Sequence, residues 1–151
     1  MMYCPFCEPT FHELSFLENE WFIAVPNRAP ILQGHCMVVT RRHVERVYQL
    51  NNEELEQFFP FIRRVTQVLS KSYQTKSFDY SLQDGVEVGQ TIFHLHMHII
   101  PRVSGDLPSP GLWYAKLYGY DPDVVIDSQF RPILSSNDIL KISDNLRNLS
   151  I

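Results

Sequence analysis

The chain has 151 residues, 44% of them hydrophobic and 13% aromatic, which is enough apolar material for one core and excludes a disordered chain. Thirteen basic against 17 acidic residues leave a formal net charge of −4, which argues against nucleic-acid binding by phosphate neutralisation but leaves room for a small phosphorylated ligand. There is no apolar run of the roughly 18 residues a membrane span needs, no signal-peptide pattern in the first residues, and an odd count of three cysteines, so a reducing, cytoplasmic setting without a membrane partner is expected.

The predicted elements follow in chain order. Residues 21–25 (WFIAV) form a short β-prone run closed by Pro26-Asn27, and residues 35–40 (HCMVVT), opened by Gly34, form a second strand. Residues 51–72 carry the one long helical pattern. Leu55, Phe58, Phe59, Ile62, Val65, Val68 and Leu69 fall on a broad stripe, and Asn51 with Glu54 reads as a capping box. Pro60 sits inside that pattern and is expected to kink the helix, since it removes an internal hydrogen bond. Residues 78–83 (FDYSLQ) alternate as a third strand, after which Asp84-Gly85 and Gly89 bend the chain. Residues 102–134, rich in Pro, Gly and Tyr, read as a long irregular segment, and residues 136–149 as an amphipathic C-terminal helix. Several strands around one long helix make an α+β domain with an antiparallel sheet, and the whole chain, 1–151, reads as a single domain.

The most informative stretch is Phe93-His94-Leu95-His96-Met97-His98-Ile99-Ile100-Pro101. A strand here puts His94, His96 and His98 on one face and Leu95, Met97 and Ile99 on the other. Three imidazoles at period two suit either a metal site or nucleophilic attack on phosphorus, where a neutral imidazole attacks well and leaves well. The bland alternative is a strand of solvated or core-satisfied histidines. Gln83-Asp84-Gly85 and Gly89-Gln90-Thr91 supply amide, hydroxyl and backbone donors for phosphate oxygens, which favours the phosphorus reading.

The run Gly89-Gln90-Thr91-Ile92-Phe93-His94-Leu95-His96-Met97-His98-Ile99-Ile100-Pro101-Arg102 resembles the signature of the histidine triad (HIT) superfamily. The resemblance extends upstream through Val25-Pro26-Asn27-Arg28-Ala29-Pro30, Gly34-His35, Arg42-His43-Val44 and Ser81-Leu82-Gln83-Asp84-Gly85, and covers about residues 15 to 107. The Asn-Arg-x-Pro and Gln-Asp-Gly elements are similar to the fragile histidine triad branch, the dinucleoside polyphosphate hydrolases. The resemblance implies a HIT-like sheet of about five strands with one long helix and a C-terminal helix, and a homodimer. It implies cleavage at the α-phosphate through a nucleotidyl-histidine on His96, with His98 and Gln83 on that phosphate. Gln90 and Thr91 would face the bridging oxygen, Asn27 the ribose hydroxyls, and His35 and His94 would support the nucleophile. The substrate class so implied is a nucleotide or dinucleotide, with Mg²⁺ accompanying a polyphosphate. A nucleoside phosphoramidase and a nucleotide sensor with little turnover remain alternatives. Asn27 and Gln83 also have ordinary readings as turn residues.

Cys4-Pro5-Phe6-Cys7 admits three readings: a redox pair resembling that of glutaredoxins, half of a zinc site, or two reduced thiols near a terminus. Other prokaryotic histidine triad proteins carry such a pair together with two histidines, and the matching residues are Cys4, Cys7, His43 and His94. That resemblance implies a closed, structural zinc. Cys36 reads as a buried apolar strand residue. Trp113, Tyr114, Tyr118 and Tyr120 are expected to close over a nucleotide or to pack at a dimer interface.

Overall fold

Central strands buried at every residue, and so covered on both faces, decide the architecture. The computed structural model describes residues 3–109, 111 and 131–150. The strands are β1 (Leu17–Glu18), β2 (Phe22–Pro26), β3 (Cys36–Thr40), β4 (Ser77–Leu82) and β5 (His96–Arg102), joined as one antiparallel sheet in the order β1-β2-β3-β5-β4. Among the described residues three helices accompany it: α1 (Pro9–His12), α2 (Asn52–Tyr73) and α3 (Ser136–Arg147). The fold is α+β, as the sequence led one to expect.

One face of the sheet, with Phe22, Ala24, Val38, Met97 and Ile99, packs against Phe61, Ile62, Val65, Val68 and Leu69 of α2 and Leu146 of α3 in the main core. On the other face Ile23, Val25, Met37 and Val39 pack under Phe6. In the register Val39 pairs with His96 and Met37 with His98. Directly opposed residues share a face, so His96 and His98 emerge beside the second, smaller cluster and away from the helices.

The capping box forms: Glu54 N–H donates to Asn51 Oδ1 and Asn51 N–H to Glu54 Oε2, both at 2.8 Å. The helix is not divided at Pro60, being one element of 22 residues. Its apolar stripe is narrower than the spacing predicts, because Leu55 and Phe59 are 47% and 70% exposed and Phe61 is buried in their place. Phe61, Val65 and Leu69 follow the i, i+4 row that faces the sheet, Ile62 joins it at i+3 from Val65, and Phe59 is rotated off it. Helix α3 docks by side chains reaching back to the N-terminal segment: Ser143 Oγ donates to Leu14 O at 2.6 Å and Arg147 Nε to Ser15 O at 2.9 Å.

Two corrections concern elements. The histidine strand begins at His96, so His94 lies just before it, although the rings of His94 and His96 both stand edge-on to Phe6. The cause is local pairing: His94 N–H donates to Ile92 O, and Leu95 N–H to Val44 O at 2.7 Å, which takes Leu95 into a separate cluster with Val44 and Leu50. Strand β1, helix α1 and the 3₁₀ turns at Pro5–Cys7, Val47–Gln49 and Val86–Val88 had no sequence expectation. The expected loop aromatics Trp113, Tyr114, Tyr118 and Tyr120 lie outside the described residues. Among the described residues no helix is long and apolar enough to cross a membrane.

Candidate active site and metal centre

The β2–β3 hairpin loop builds one wall of the site. Asn27 N–H donates to His35 O at 2.8 Å and closes the loop. Gly34 turns the chain at φ +84°, and a Cβ there would collide with Pro101 and Tyr73, so glycine is required. Within the loop Asn27 Oδ1 accepts from Ala29 N–H at 2.8 Å, which turns the Asn27 amide nitrogen towards His35, 3.4 Å from Nε2.

The hydrogen-bond partners assign the tautomers of three histidines in series. Ile31 N–H donates to His35 Nδ1 at 3.1 Å, so His35 carries its proton on Nε2. That N–H donates to His98 Nδ1 at 2.9 Å, so His98 carries its proton on Nε2. His96 is fixed separately, because its Nδ1–H donates to the backbone carbonyl of His94 at 2.7 Å. The result is an Nε2 lone pair on His96 beside an Nε2–H donor on His98, with ring centroids 5.1 Å apart. Phe6 stands edge-on to His96 at 5.1 Å and limits its tilt.

Burial keeps these rings neutral. Desolvation pulls His35 from 6.5 down to about 3, aided by the charges of Arg131 and His96. His98 is held well below its ordinary value by burial and then by His35, His96 and Arg131. His96 is lowered by burial, against which its bond to the His94 carbonyl works. A neutral imidazole is the form that attacks an electrophile.

His94 does different work. Its ring is fully buried, Nε2–H donates to Thr40 O at 2.7 Å, and Nδ1 is left facing the thiols of Cys4 at 3.4 Å and Cys7 at 3.6 Å. Cys7 Sγ also meets His43 Nδ1 at 3.2 Å, and the ligand atoms of Cys4, Cys7, His43 and His94 all lie within 4.8 Å of one another. A tetrahedral zinc with bonds of about 2.0–2.3 Å needs ligand atoms about 3.3–3.8 Å apart, so the donor set and its spacing fit. The Thr40 carbonyl on the remote nitrogen of His94 is the support a metal-bound imidazole uses. The redox reading of Cys4 and Cys7 finds no such support. Burial, the Cys4 thiol and Glu8 raise Cys7 to about 11, whereas exchange needs a lowered thiol.

The remaining expected residues are placed as follows. Gln83 is buried just past β4. Gln90 is buried with its Nε2 donating to Glu45 O at 3.0 Å, and its Oε1 has no hydrogen-bond partner. Thr91 is exposed. His35 supports His98 and not His96, and His94 reaches His96 through its carbonyl and not its ring. Sequence reasoning missed Arg42, whose guanidinium reaches Glu54 at 2.7 Å and Gln49 O at 2.9 Å and so anchors the loop holding His43. The capping-box Glu54 was the available signal.

The HIT domain family matches residues 10–105, more than half of the chain, and this protein belongs to that family. It is similar to the asymmetrical bis(5'-nucleosyl)-tetraphosphatase of Schizosaccharomyces pombe, with 38% identity over 102 residues, 68% of this chain and 56% of that protein. It is 30% identical to the bis(5'-adenosyl)-triphosphatase of Dictyostelium discoideum over 81% of this chain and 86% of that one. In fold it is similar to a Zn-bound histidine triad family protein from Mycobacterium smegmatis, with a TM-score of 0.70 and 20% identity over 99% of this chain and 94% of that chain. The chain thus spans little more than half the length of the yeast relative.

Proposed function

We propose that this protein hydrolyses dinucleoside polyphosphates at the α-phosphate through a covalent nucleotidyl-His96. The single observation that carries the reading is the pair of opposite tautomers, a lone pair on His96 Nε2 beside a donor on His98 Nε2. The names of the yeast and Dictyostelium relatives support the substrate class. In the first step His96 Nε2 bonds to the α-phosphorus, the anhydride P–O bond breaks, and the released nucleotide takes up a proton. His98 and Gln83 receive the phosphoryl charge, as preorganised donors do in transfer reactions. The positive charge on the modified ring is stabilised by Nδ1–H on the His94 carbonyl. Water then attacks phosphorus, the P–N bond breaks, and a nucleoside monophosphate leaves.

Asn27 takes the ribose hydroxyls with the amide nitrogen that its bond to Ala29 aims into the site. The exposed Thr91 meets the bridging oxygen, and Gln90 joins it once its Nε2 leaves the Glu45 carbonyl. Cys4, Cys7, His43 and His94 hold a structural zinc that ties the N-terminal turn to the approach to β5; four protein ligands leave no position for substrate. Mg²⁺ comes with the polyphosphate. The chain acts as one domain, since α3 shares the main core, in the cytoplasm and without nucleic acid or membrane partners. It works as a homodimer: β4 is the longer of the sheet's two edge strands, and the exposed Tyr80 (45%) and Phe59 (70%) offer a contact face.

The test compares kcat/KM for diadenosine polyphosphate and an adenosine phosphoramidate in wild type and His96→Ala. Hydrolysis of the polyphosphate with a loss of at least about 10⁴-fold in the variant is expected, together with an adenylylated His96 peptide from wild type after an alkaline quench, since acid cleaves the P–N bond. Preference for the phosphoramidate moves the protein to that class, and no turnover of either leaves a nucleotide sensor.

A further inference from the structure

Gln83 stands just outside the strand pairing that orders its neighbours. The β4–β5 register places Ser81 opposite His98 and ends at Leu82 opposite Met97. One step further along the same register, Gln83 falls at the level of His96, where β5 begins. Opposed positions share a face of the sheet, so this is the place from which Gln83 serves a group on His96. No ladder bond keeps it there. The turn that follows, Asp84-Gly85, decides whether Gln83 stays in line.

Two segments fasten that turn. On its far side Gly85 C=O accepts from Val88 N–H at 3.2 Å and from Gln90 N–H at 3.0 Å. On its near side stand residues 46 and 47: Val47 N–H donates to Asp84 Oδ2 at 3.3 Å, and Arg46 Nη1 lies 3.6 Å from Asp84 Oδ1. The guanidinium also covers the bare face of Gly85, which has φ +135°, and a Cβ there would collide with Arg46 Nη1. Gln49 Oε1 fixes the backbone behind it, accepting from Glu45 N–H at 2.8 Å and Arg46 N–H at 3.0 Å.

The ion pair is badly placed to stabilise the fold. Its side chains are 29% and 33% exposed, and 3.6 Å is long for a charge-assisted hydrogen bond. It is well placed to orient the turn. Asp84 Oδ1 itself is out of solvent and has no hydrogen-bond partner among the described residues, and Arg46 is the cation that faces it. A desolvated carboxylate oxygen that loses its counter-charge gains by turning to water. Such a turn carries the Asp84 backbone, and Gln83 with it.

We propose that Arg46 is a positioning residue for the reaction: through Asp84 and Gly85 it holds Gln83 in line with His96, without itself meeting the substrate. The assignment rests on the hydrolase reading for what Gln83 does there. Its holding segment follows directly on His43, so the candidate metal centre and the phosphate-binding turn share one loop.

The test compares Arg46→Met, which keeps an apolar stem and removes the charge, with Arg46→Lys, which keeps the charge, both in the full chain. On a dinucleoside polyphosphate Arg46→Met should lower kcat by about 10- to 100-fold, less than outright loss of a transition-state donor. KM should stay within about threefold and Tm within about 3 °C, as suits an exposed ion pair. Arg46→Lys should recover most of kcat. In a Gln83→Ala background Arg46→Met should cost less than about threefold, because the group it positions is gone. NMR relaxation of the substrate-free protein should show the Gln83 side-chain amide ordered in wild type and Arg46→Lys, and falling below about 0.6 in order parameter in Arg46→Met. An unchanged Gln83 amide overturns the proposal. So does an unchanged kcat in an active enzyme, a full Arg46→Met loss in the Gln83→Ala background, or a fall in Tm of about 10 °C that lysine does not rescue. A wild type that hydrolyses no dinucleoside polyphosphate sinks the hydrolase reading, and the amide measurement alone then decides whether Arg46 holds Gln83.

Discussion

The Nδ1–H of His96 donates to the backbone carbonyl of His94 at 2.7 Å, while the ring of the same His94 turns away to two thiols and His43. One residue therefore joins the candidate metal centre to the candidate nucleophile. A displacement of His94 moves the acceptor that fixes the tautomer of His96. Purified protein is expected to hold one zinc per chain by elemental analysis. Chelation should lower Tm by about 10 °C or more, because binding energy at a structural zinc is folding energy. It should also shift the ring nitrogen resonances of His96. A metal-free chain with an unchanged Tm would remove the centre from the account.

Acid should destabilise the protein through its neutral histidines. His35 titrates near 3 in the folded chain against 6.5 when unfolded, and His98 is lowered in the same direction. Between those values the unfolded chain binds protons that the folded chain refuses, so stability is complete above about pH 6.5 and falls as pH drops towards 3. At pH 5 the His35 share is about 2 kcal/mol, 1.5 pH units below its unfolded value. Urea unfolding at pH 7.5 and pH 5 measures it, with His35→Gln as reference. The variant should lose less on acidification than wild type. An equal loss would place the acid sensitivity elsewhere.

Much of this arrangement was legible in the sequence. Helix α2 announced itself through Asn51, Glu54 and the apolar stripe, because a capping box and i, i+4 spacing are local signals. The pairing of His96 and His98 on one face followed from period two, which β5 keeps. His94 falls outside the strand because Val44, 51 residues earlier, captures the Leu95 amide, and no local pattern records a partner so distant. The convergence of Cys4 on His94 across 90 residues was reachable only through the family resemblance. The reassignment of His35 from His96 to His98 depended on which imidazole the β2–β3 loop meets, a matter of register. Strand β1 is two residues long and carries no periodicity to read.

Glu54 connects the helix to the metal centre. It completes the α2 cap and receives Arg42 through Nε at 3.0 Å and Nη2 at 2.7 Å, one residue before His43. The Arg42 bond holds the Glu54 carboxyl below its ordinary range. Arg42 is half exposed, so water screens much of the ion pair and the cap supplies most of the stability. Glu54→Ala should cost about 2 kcal/mol in chemical denaturation. It should also weaken zinc in competition with a colorimetric chelator, whereas Glu54→Gln keeps an acceptor for Asn51 and costs less. A Glu54→Ala protein with wild-type zinc affinity would show that His43 is held without Arg42.

The series Ile31 N–H, His35, His98 makes the donor on His98 depend on the tautomer of His35. Glutamine at 35 can imitate it, since its carbonyl can accept from Ile31 and its amide can donate to His98 Nδ1. Leucine can do neither and leaves His98 free to put its proton on the wrong nitrogen. His35→Leu should lower kcat by about 10²- to 10³-fold, the cost of one lost transition-state donor. KM should move little, because the donor matters most as charge builds on phosphorus. His35→Gln should recover a large part of kcat. Steady-state kinetics of the two variants on one dinucleoside polyphosphate decide the point. Equal kcat losses in both would mean that His35 fills space rather than setting the His98 proton, and a loss confined to KM would mean that it shapes the binding loop through Asn27.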